Sequence, residues 1–202
     1  MGNPWIPADD SAVTERKPVV EHTPRPLRTQ PPPSGAVPPP TRGGLPLRRR
    51  PDAHLAPWWW VGVHGGAGVG SLQACAPQSA DGDRAWPVPE GQGTARVVLV
   101  CRSNFGGLRA AQSAVRQWAA GVVPNVAVLG LVVVADAPGR LPKPLRDLTT
   151  LVAGGVPLLW SVPWVEPWRL GHPPDPGNTP KAVVKLVAQI SQPARRNSER
   201  SS

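Results

Sequence analysis

The stretch WWWVGVHGGAGVGSL, residues 58–72, decides the fold. It opens as a compact apolar run and continues into a segment rich in glycine. A buried strand followed by a glycine turn and a helix lets backbone N–H groups converge on an anion, because side chains would block its approach. We therefore expect a strand, a glycine loop and a helix that begins at Ser71. A loop that serves only as a tight strand-to-helix turn would show the same pattern.

Three more apolar runs follow: RVVLVC at 96–101, VAVLGLVVVA at 126–135 and VPLLWSV at 156–162. Continuous valine-rich runs are typical of strands buried on both faces, as in parallel sheets. Between and after them, apolar residues recur at spacings of three and four over 107–121, 144–154 and 180–190, which indicates helices. The alternation predicts an α/β fold, a small doubly wound and mainly parallel sheet with right-handed crossovers.

Proline marks the boundary of the predicted domain, since fourteen of the 29 prolines lie in the first 57 residues. Such a segment cannot bury enough apolar surface to fold. We therefore predict a disordered proline-rich arm over 1–57, a single domain over 58–191 and a disordered tail over 192–202.

The net charge of +9 is spread evenly along the chain. Basic residues outnumber acidic ones by eight to five in 1–57, nine to six in 58–170 and five to two in 171–202. Only Arg48, Arg49 and Arg50 form a cluster, so a nucleic-acid partner is not favoured. The longest apolar run is about half a membrane span, and no signal peptide is visible, so we expect no membrane span and a cytoplasmic protein. Scattered histidines and two expected buried thiols, Cys75 and Cys101, predict no metal site.

The glycine stretch resembles the P-loop of the partition and septum-site ATPases, the ParA/MinD type, whose loop runs Lys-Gly-Gly-x-Gly-Lys-Thr-Thr. On that motif Val69 stands where the phosphate-binding lysine belongs and Gly70 where the magnesium-binding hydroxyl belongs. His64 replaces the signature lysine. The resemblance implies a reduced P-loop NTPase-like fold and at most weak binding of ATP or another nucleotide. The residues that would hold the nucleotide or anion are His64, Gly65, Gly66, Gly68, Gly70 and Ser71.

Residues 97–111, 129–134 and 156–165 resemble later strands and loops of the same ATPases. Only residues 74–94 then remain for the family's switch regions and Walker B aspartate, which is too short a segment. The resemblance therefore implies that the active-site machinery is deleted, and we expect no catalytic residue, no ATP hydrolysis and no required cofactor.

Asp136 and Arg140 form a second candidate site in the segment ADAPGR. Asp136 either imitates the end of a Walker B strand or lies at the carboxyl end of a later strand, where the resemblance places a base-recognising loop. Arg140 either holds an anion or is a solvated loop cation.

The string ADAPGRLP-x-PLRDL and the surrounding order of motifs also resemble an actinobacterial family of unknown function, over residues 58–171. This second resemblance implies no established activity, but its members are expected near genes of mobile elements or conjugation. Near its end lie Trp164, Trp168 and Arg169, which either cover the end of the sheet or form a rim for a protein partner.

Three functions follow as hypotheses. The first is a non-catalytic pseudo-ATPase scaffold or regulator that binds a protein partner, linked to a partition- or conjugation-type system. The second is a weak nucleotide-binding protein that uses the glycine loop. The third is a basic adaptor for nucleic acid or a membrane surface. The oligomeric state stays open.

Overall fold

The computed structural model describes residues 37–192. Its main element is a sheet of five parallel strands with helices on both faces, which confirms the predicted α/β fold. In chain order the elements are β1 (Leu47–Arg50), β2 (Trp59–Gly62), α1 (Val69–Ala74), β3 (Ala80–Asp81), β4 (Trp86–Pro89), β5 (Ala95–Arg102), α2 (Phe105–Ala119), β6 (Val126–Val134), α3 (Lys143–Ala153), β7 (Leu159–Val162), α4 (Glu166–Arg169) and α5 (Lys181–Ser191).

The strand order in the sheet is β3-β2-β5-β6-β7. From β2 the chain first adds β3 on one side, and it then crosses to add β5, β6 and β7 on the other. The order therefore reverses between β2 and β5, whose registers pair Trp59 with Val97 and Gly62 with Val100. In open parallel sheets such a reversal leaves a crevice at the carboxyl ends of the two strands, and ligands bind there.

Two apolar layers hold the sheet. On one face, Leu108 and Trp118 of α2 and Val152 of α3 pack with Leu45, with Trp86 and Val88 of β4, and with the strands of the sheet. On the other face, Leu72 of α1 and Leu186 of α5 pack against the same strands. The apolar runs 96–101 and 126–135 form buried strands, as the sequence predicts, because helices cover both faces of the sheet there. The run 156–162 forms the edge strand β7, which is only partly buried.

The structure describes residues 37–57 of the predicted arm, and part of this segment is ordered. Leu47–Arg50 form β1, which pairs in parallel with β4. Leu45 is buried, and its backbone N–H and C=O both bond to the side chain of Gln117, with N···O distances of 2.8 Å. The sequence pattern misses β1 because backbone pairing and one polar side chain hold it, not an apolar run. The disorder predicted for 1–36 and 193–202 lies outside the described residues.

Two short strands and the start of one helix also differ from the prediction. The sequence pattern misses β3, which has two residues, and β4, which contains two prolines. Helix α1 begins at Val69, two residues before the predicted start. Asn104 caps α2, since its Oδ1 accepts a hydrogen bond from the Gly107 N–H at 2.8 Å. Within residues 37–192, no helix is both long enough and apolar enough to cross a membrane.

Candidate functional site

The glycine loop connects β2 to α1 and lies at the reversal of strand order. Two of its glycines have backbone angles that favour glycine, with φ of +73° at Gly66 and +103° at Gly68. Gly68 also precedes α1 as its N-cap, so the helix begins without a side-chain cap. The strand, loop and short helix therefore occur in the predicted order, and the turn itself requires glycine at these two positions.

His64 is bonded within the protein. Its Nε2 accepts the backbone N–H of Arg102 at 3.0 Å, so the ring proton is on Nδ1, which donates to the Gly65 carbonyl at 2.8 Å. Gly107 makes this contact possible, because a Cβ there would meet His64 Nε2 at 2.9 Å. His64 therefore fastens the loop to the end of β5, and both of its ring nitrogens are occupied.

Arg102 lies at this site although the sequence pattern does not single it out. Its Nε donates to the Gly66 carbonyl and its Nη1 to the Ala135 carbonyl, both at 3.0 Å, so one half-buried guanidinium joins the glycine loop to the end of β6. The feature of the sequence that could have pointed to Arg102 is its position as a single cationic residue at the carboxyl end of a buried strand. Hydrogen bonds from a charged donor are stronger than neutral ones, which suits this bridging role.

The two positions equated with the P-loop lysine and hydroxyl behave differently from each other. Val69 is half-buried and packs against the core on the α1 face. Gly70 is exposed, and a Cβ at that position would meet nothing within 4 Å. Neither residue brings a charge or a hydroxyl to the loop.

A first cavity, the loop cavity, lies beside the glycine loop and has a volume of about 40 Å³. Two candidate sites of the sequence analysis meet in this cavity. Trp164, Trp168 and Arg169 of the predicted partner surface line it together with residues of the glycine loop. A buried water needs about 10–15 Å³ on this measure. The loop cavity therefore has room for a few waters or one small ion. Its lining includes Gly68, Ser71, Arg102, Trp164, Trp168 and Arg169; His64, Gly65, Gly66 and Gly70 do not belong to it.

The two tryptophans of the predicted partner surface are half-buried, and their indole N–H groups are used internally. Trp168 donates to Asn178 Oδ1 at 2.9 Å, and Trp164 donates to the carboxylate of Glu166. These contacts favour the interpretation that the rings cover the end of the sheet. Arg169 is exposed and its guanidinium has no hydrogen-bond partner among residues 37–192, and Leu170 beside it is 68% exposed.

A second cavity, the loop-136 cavity, has a volume of about 490 Å³ and lies where β5, β6 and β7 end. Both residues of the second candidate site, Asp136 and Arg140, line it. Asp136 follows β6, which β5 separates from β2, so its carboxylate lies outside the loop cavity. Asp136 and Arg140 are exposed and form no ion pair with any described residue.

The thiols and the arginine cluster are placed elsewhere. Both cysteines are free; burial raises the pKa of Cys101 to about 12, and burial also raises the pKa of Cys75. Across residues 37–192, no three His, Cys, Asp or Glu side chains are grouped to hold a metal ion. The arginine cluster is partly paired, because Arg48 bonds to Asp83, and this hydrogen bond lowers the pKa of that carboxyl. Arg50 lies 5.0 Å over the ring of Trp59.

Comparison with known proteins places the chain in one family. Residues 56–190 match the family described as "Family of unknown function (DUF6668)", which is more than half of the chain. The searches of curated proteins and of solved structures each gave no match. The predicted resemblance to a family of unknown function is thus confirmed, while the match links the chain neither to ParA/MinD-type ATPases nor to actinobacteria. On the extent of this match, the protein belongs to the DUF6668 family of unknown function.

Proposed function

We propose that this protein is a non-catalytic, P-loop-like scaffold or regulatory protein, a pseudo-ATPase that binds a protein partner. The observation that carries the proposal is the loop cavity. At about 40 Å³ it is closed in by Trp164, Trp168 and Arg169, so α4 occupies the space above Gly68 and Ser71. Sites for cofactor-sized ligands measure about 300–1,000 Å³, far more than this space offers.

The chemistry of the loop supports the same proposal. Phosphoryl transfer depends on cations and a metal-binding hydroxyl placed at the transferring phosphate. Val69 packs into the core, and Gly70 has no side chain to offer. Arg102 is the cation bonded to the loop, and its Nε and Nη1 already donate to backbone carbonyls. The loop is thus built to be held in place by its own chain.

A partner surface is available at the same edge of the sheet. Phe105 begins α2 directly after β5 and is 65% exposed, and Leu170 follows α4 and is 68% exposed. With the exposed Arg169 they place apolar, aromatic and arginine side chains near this edge, and these are residue types that protein interfaces favour. The resemblance to ParA/MinD-type ATPases extends the proposal to a partition- or conjugation-type system.

Weak nucleotide binding is the second candidate, and one observation favours it. The loop cavity contains two guanidinium groups, Arg102 and Arg169, and the hydroxyl of Ser71, which has no hydrogen-bond partner among residues 37–192. These groups suit the phosphate end of a nucleotide, while the sugar and base would lie outside the cavity. We therefore expect an affinity no tighter than about millimolar, or roughly 4 kcal/mol.

Calorimetry and a hydrolysis assay separate the two candidates. For the scaffold we expect no ATP turnover above a mock-purified control and no measurable binding of ATP with Mg²⁺. The variant carrying Val69→Lys and Gly70→Thr restores the motif residues and should gain ATP affinity without turnover. Turnover that Gly68→Ala abolishes would contradict the scaffold proposal, and wild-type ATP binding with an affinity of about 1 mM or tighter would favour the nucleotide-binding candidate over it.

Affinity capture from the native host tests the partner surface with a matched pair of variants. Leu170→Ala should reduce capture of the partner, because Leu170 lies at the carboxyl edge of the sheet. Leu151→Ala should leave capture unchanged, since Leu151 is equally exposed at 64% but lies at the far end of α3. Equal capture by both variants would show that the partner does not bind at the carboxyl edge of the sheet.

A further inference from the structure

The loop-136 cavity is suited to a small ligand by its size and its walls. Its volume of about 490 Å³ falls within the range of small-molecule sites, and it lies outside the carboxyl ends of parallel strands, where such sites occur. Most of its lining is apolar and includes Pro138, Leu141, Leu145, Val162 and Pro163. A ligand with an apolar body would bury that body against these side chains.

Four polar groups at this cavity are not used by the protein itself. The carboxylate of Asp136, the guanidinium of Arg140 and the hydroxyl of Ser161 all line it, and none has a hydrogen-bond partner within residues 37–192. Asn104 uses its Oδ1 to cap α2, and its amide nitrogen is left over. The cavity therefore offers one negative group, one positive group and two neutral polar groups to a ligand.

The loop that carries the two charges is fixed at both ends. Its start is held by a hydrogen bond from the Asp136 N–H to Ser103 Oγ at 3.0 Å. Near its other end, Arg146 Nη1 donates to the Leu141 carbonyl at 2.9 Å, and Gly139 makes the turn between them with φ of +90°. Opposite charges thus stand four residues apart on one held loop without pairing, which reduces the entropy lost when a ligand binds.

We propose that the loop-136 cavity binds a small zwitterion with an apolar body, of the class of dipeptides built from apolar amino acids. The ligand's ammonium group pairs with Asp136, and its carboxylate accepts hydrogen bonds from Arg140, whose planar guanidinium matches a carboxylate in shape. Asn104 and Ser161 supply further hydrogen bonds, and the apolar side chains lie against the proline and leucine walls. This site is separate from the loop cavity and does not depend on the proposed scaffold function.

Calorimetry with the full chain tests the proposal with three dipeptides, Leu-Leu, Val-Pro and Phe-Ala. Each is compared with its N-acetyl form, which lacks the ammonium charge, and with its C-terminal amide, which lacks the carboxylate. At least one free dipeptide should bind, and each blocking group should weaken binding about two- to fivefold, as expected for partly exposed ion pairs.

Two variants assign each charge to its partner. In Asp136→Asn, N-acetylation should no longer weaken binding, while amidation still does. In Arg140→Gln the pattern should reverse. Arg109→Gln is the matched control, because Arg109 is an exposed arginine on α2 outside the cavity that bonds to Gln112; it should leave all affinities unchanged. Equal urea midpoints would show that the three variants fold alike.

Two results would overturn the proposal. One is the absence of binding by all three free dipeptides at about 10 mM, a concentration that detects very weak affinities. The other is binding that the blocking groups do not affect, or whose response to them is the same in Asp136→Asn, Arg140→Gln and the wild type. In that case the cavity would bind apolar groups without recognising the two charges.

Discussion

Gln117 holds the N-terminal part of the fold in place, and replacing it by leucine should destabilise the protein strongly. Its Oε1 accepts hydrogen bonds from the Leu45 N–H at 2.8 Å and from Trp86 Nε1 at 2.9 Å, and its Nε2 donates to the Leu45 carbonyl at 2.8 Å. Gln117, Leu45 and Trp86 are all buried. One polar side chain of α2 therefore satisfies three groups of the β1–β4 region.

The expected loss follows from those three groups. Leucine is close to glutamine in volume, so Gln117→Leu removes the hydrogen bonds without opening a large cavity. Each buried polar group left without a partner costs about 1–3 kcal/mol, which sums to about 3–9 kcal/mol for three. Leu45 keeps slight contact with solvent at 8% exposure, so we expect the lower half of that range, about 3–5 kcal/mol. This is a large share of a typical stability of about 5–15 kcal/mol.

Urea unfolding followed by tryptophan fluorescence measures the loss, since the chain contains nine tryptophans. Gln112→Leu is the control, because Gln112 is only half-buried and accepts one bond from Arg109. A loss below about 1 kcal/mol for Gln117→Leu would refute the reasoning, because one unsatisfied group alone should cost that much.

Three further predictions use the same urea assay. Burial raises the pKa of Cys101 to about 12, so this thiol keeps its proton in the folded chain at pH values where the unfolded thiol, with a pKa near 9.0, has lost it. The free energy of unfolding should therefore decline as the pH rises from 9 toward 12. The chain has no tyrosine, so Cys101→Ala should visibly flatten this decline, and an unchanged slope would contradict it. Arg102→Met loses two charge-assisted hydrogen bonds and should lower the free energy of unfolding by about 1–3 kcal/mol, a range that already allows for its partial exposure. An equal loss in Arg109→Met would show that Arg102 has no special role. Gly130→Ala should cost at least about 2 kcal/mol, because its Cβ would collide with the Leu158 carbonyl and the Trp160 ring, while Gly70→Ala, with open space at its Cβ, should gain about 0.5–1 kcal/mol.

The elements that the sequence predicts are those whose burial leaves a local pattern. The run 96–101 is buried on both faces of the sheet, and such burial selects consecutive apolar residues that can be read directly. The cap of α2 at Asn104 is equally local, since its side chain bonds three residues ahead. The β1 segment leaves no such pattern, because its sequence, LRRR, is polar and its partners lie far along the chain. Predicting β1 would require knowledge of its pairing with the distant strand β4.

The candidate site also has one part that the sequence predicts and another that it does not. Its turn could be predicted because Gly66 and Gly68 are needed for their own backbone angles. The sequence could not predict that Gly68 and Trp164 line the same cavity, because nearly one hundred residues separate them. Only the sheet order brings α4 over the loop. Arg102 was missed for a related reason: both of its acceptors are backbone carbonyls, which any residue type supplies.

Arg102 also explains why the two cavities are distinct. Its guanidinium spans from the glycine loop to the Ala135 carbonyl, and Ala135 and Pro163 line both cavities, so these residues form the wall between them. A parallel sheet gathers the carboxyl ends of its strands at one edge, which would otherwise leave one long crevice across β2, β5, β6 and β7. The bridge from Arg102 and the cover from α4 fill the part beside the glycine loop. The part beside Asp136 and Arg140 stays open, and a ligand bound there would contact the wall formed by Ala135 and Pro163.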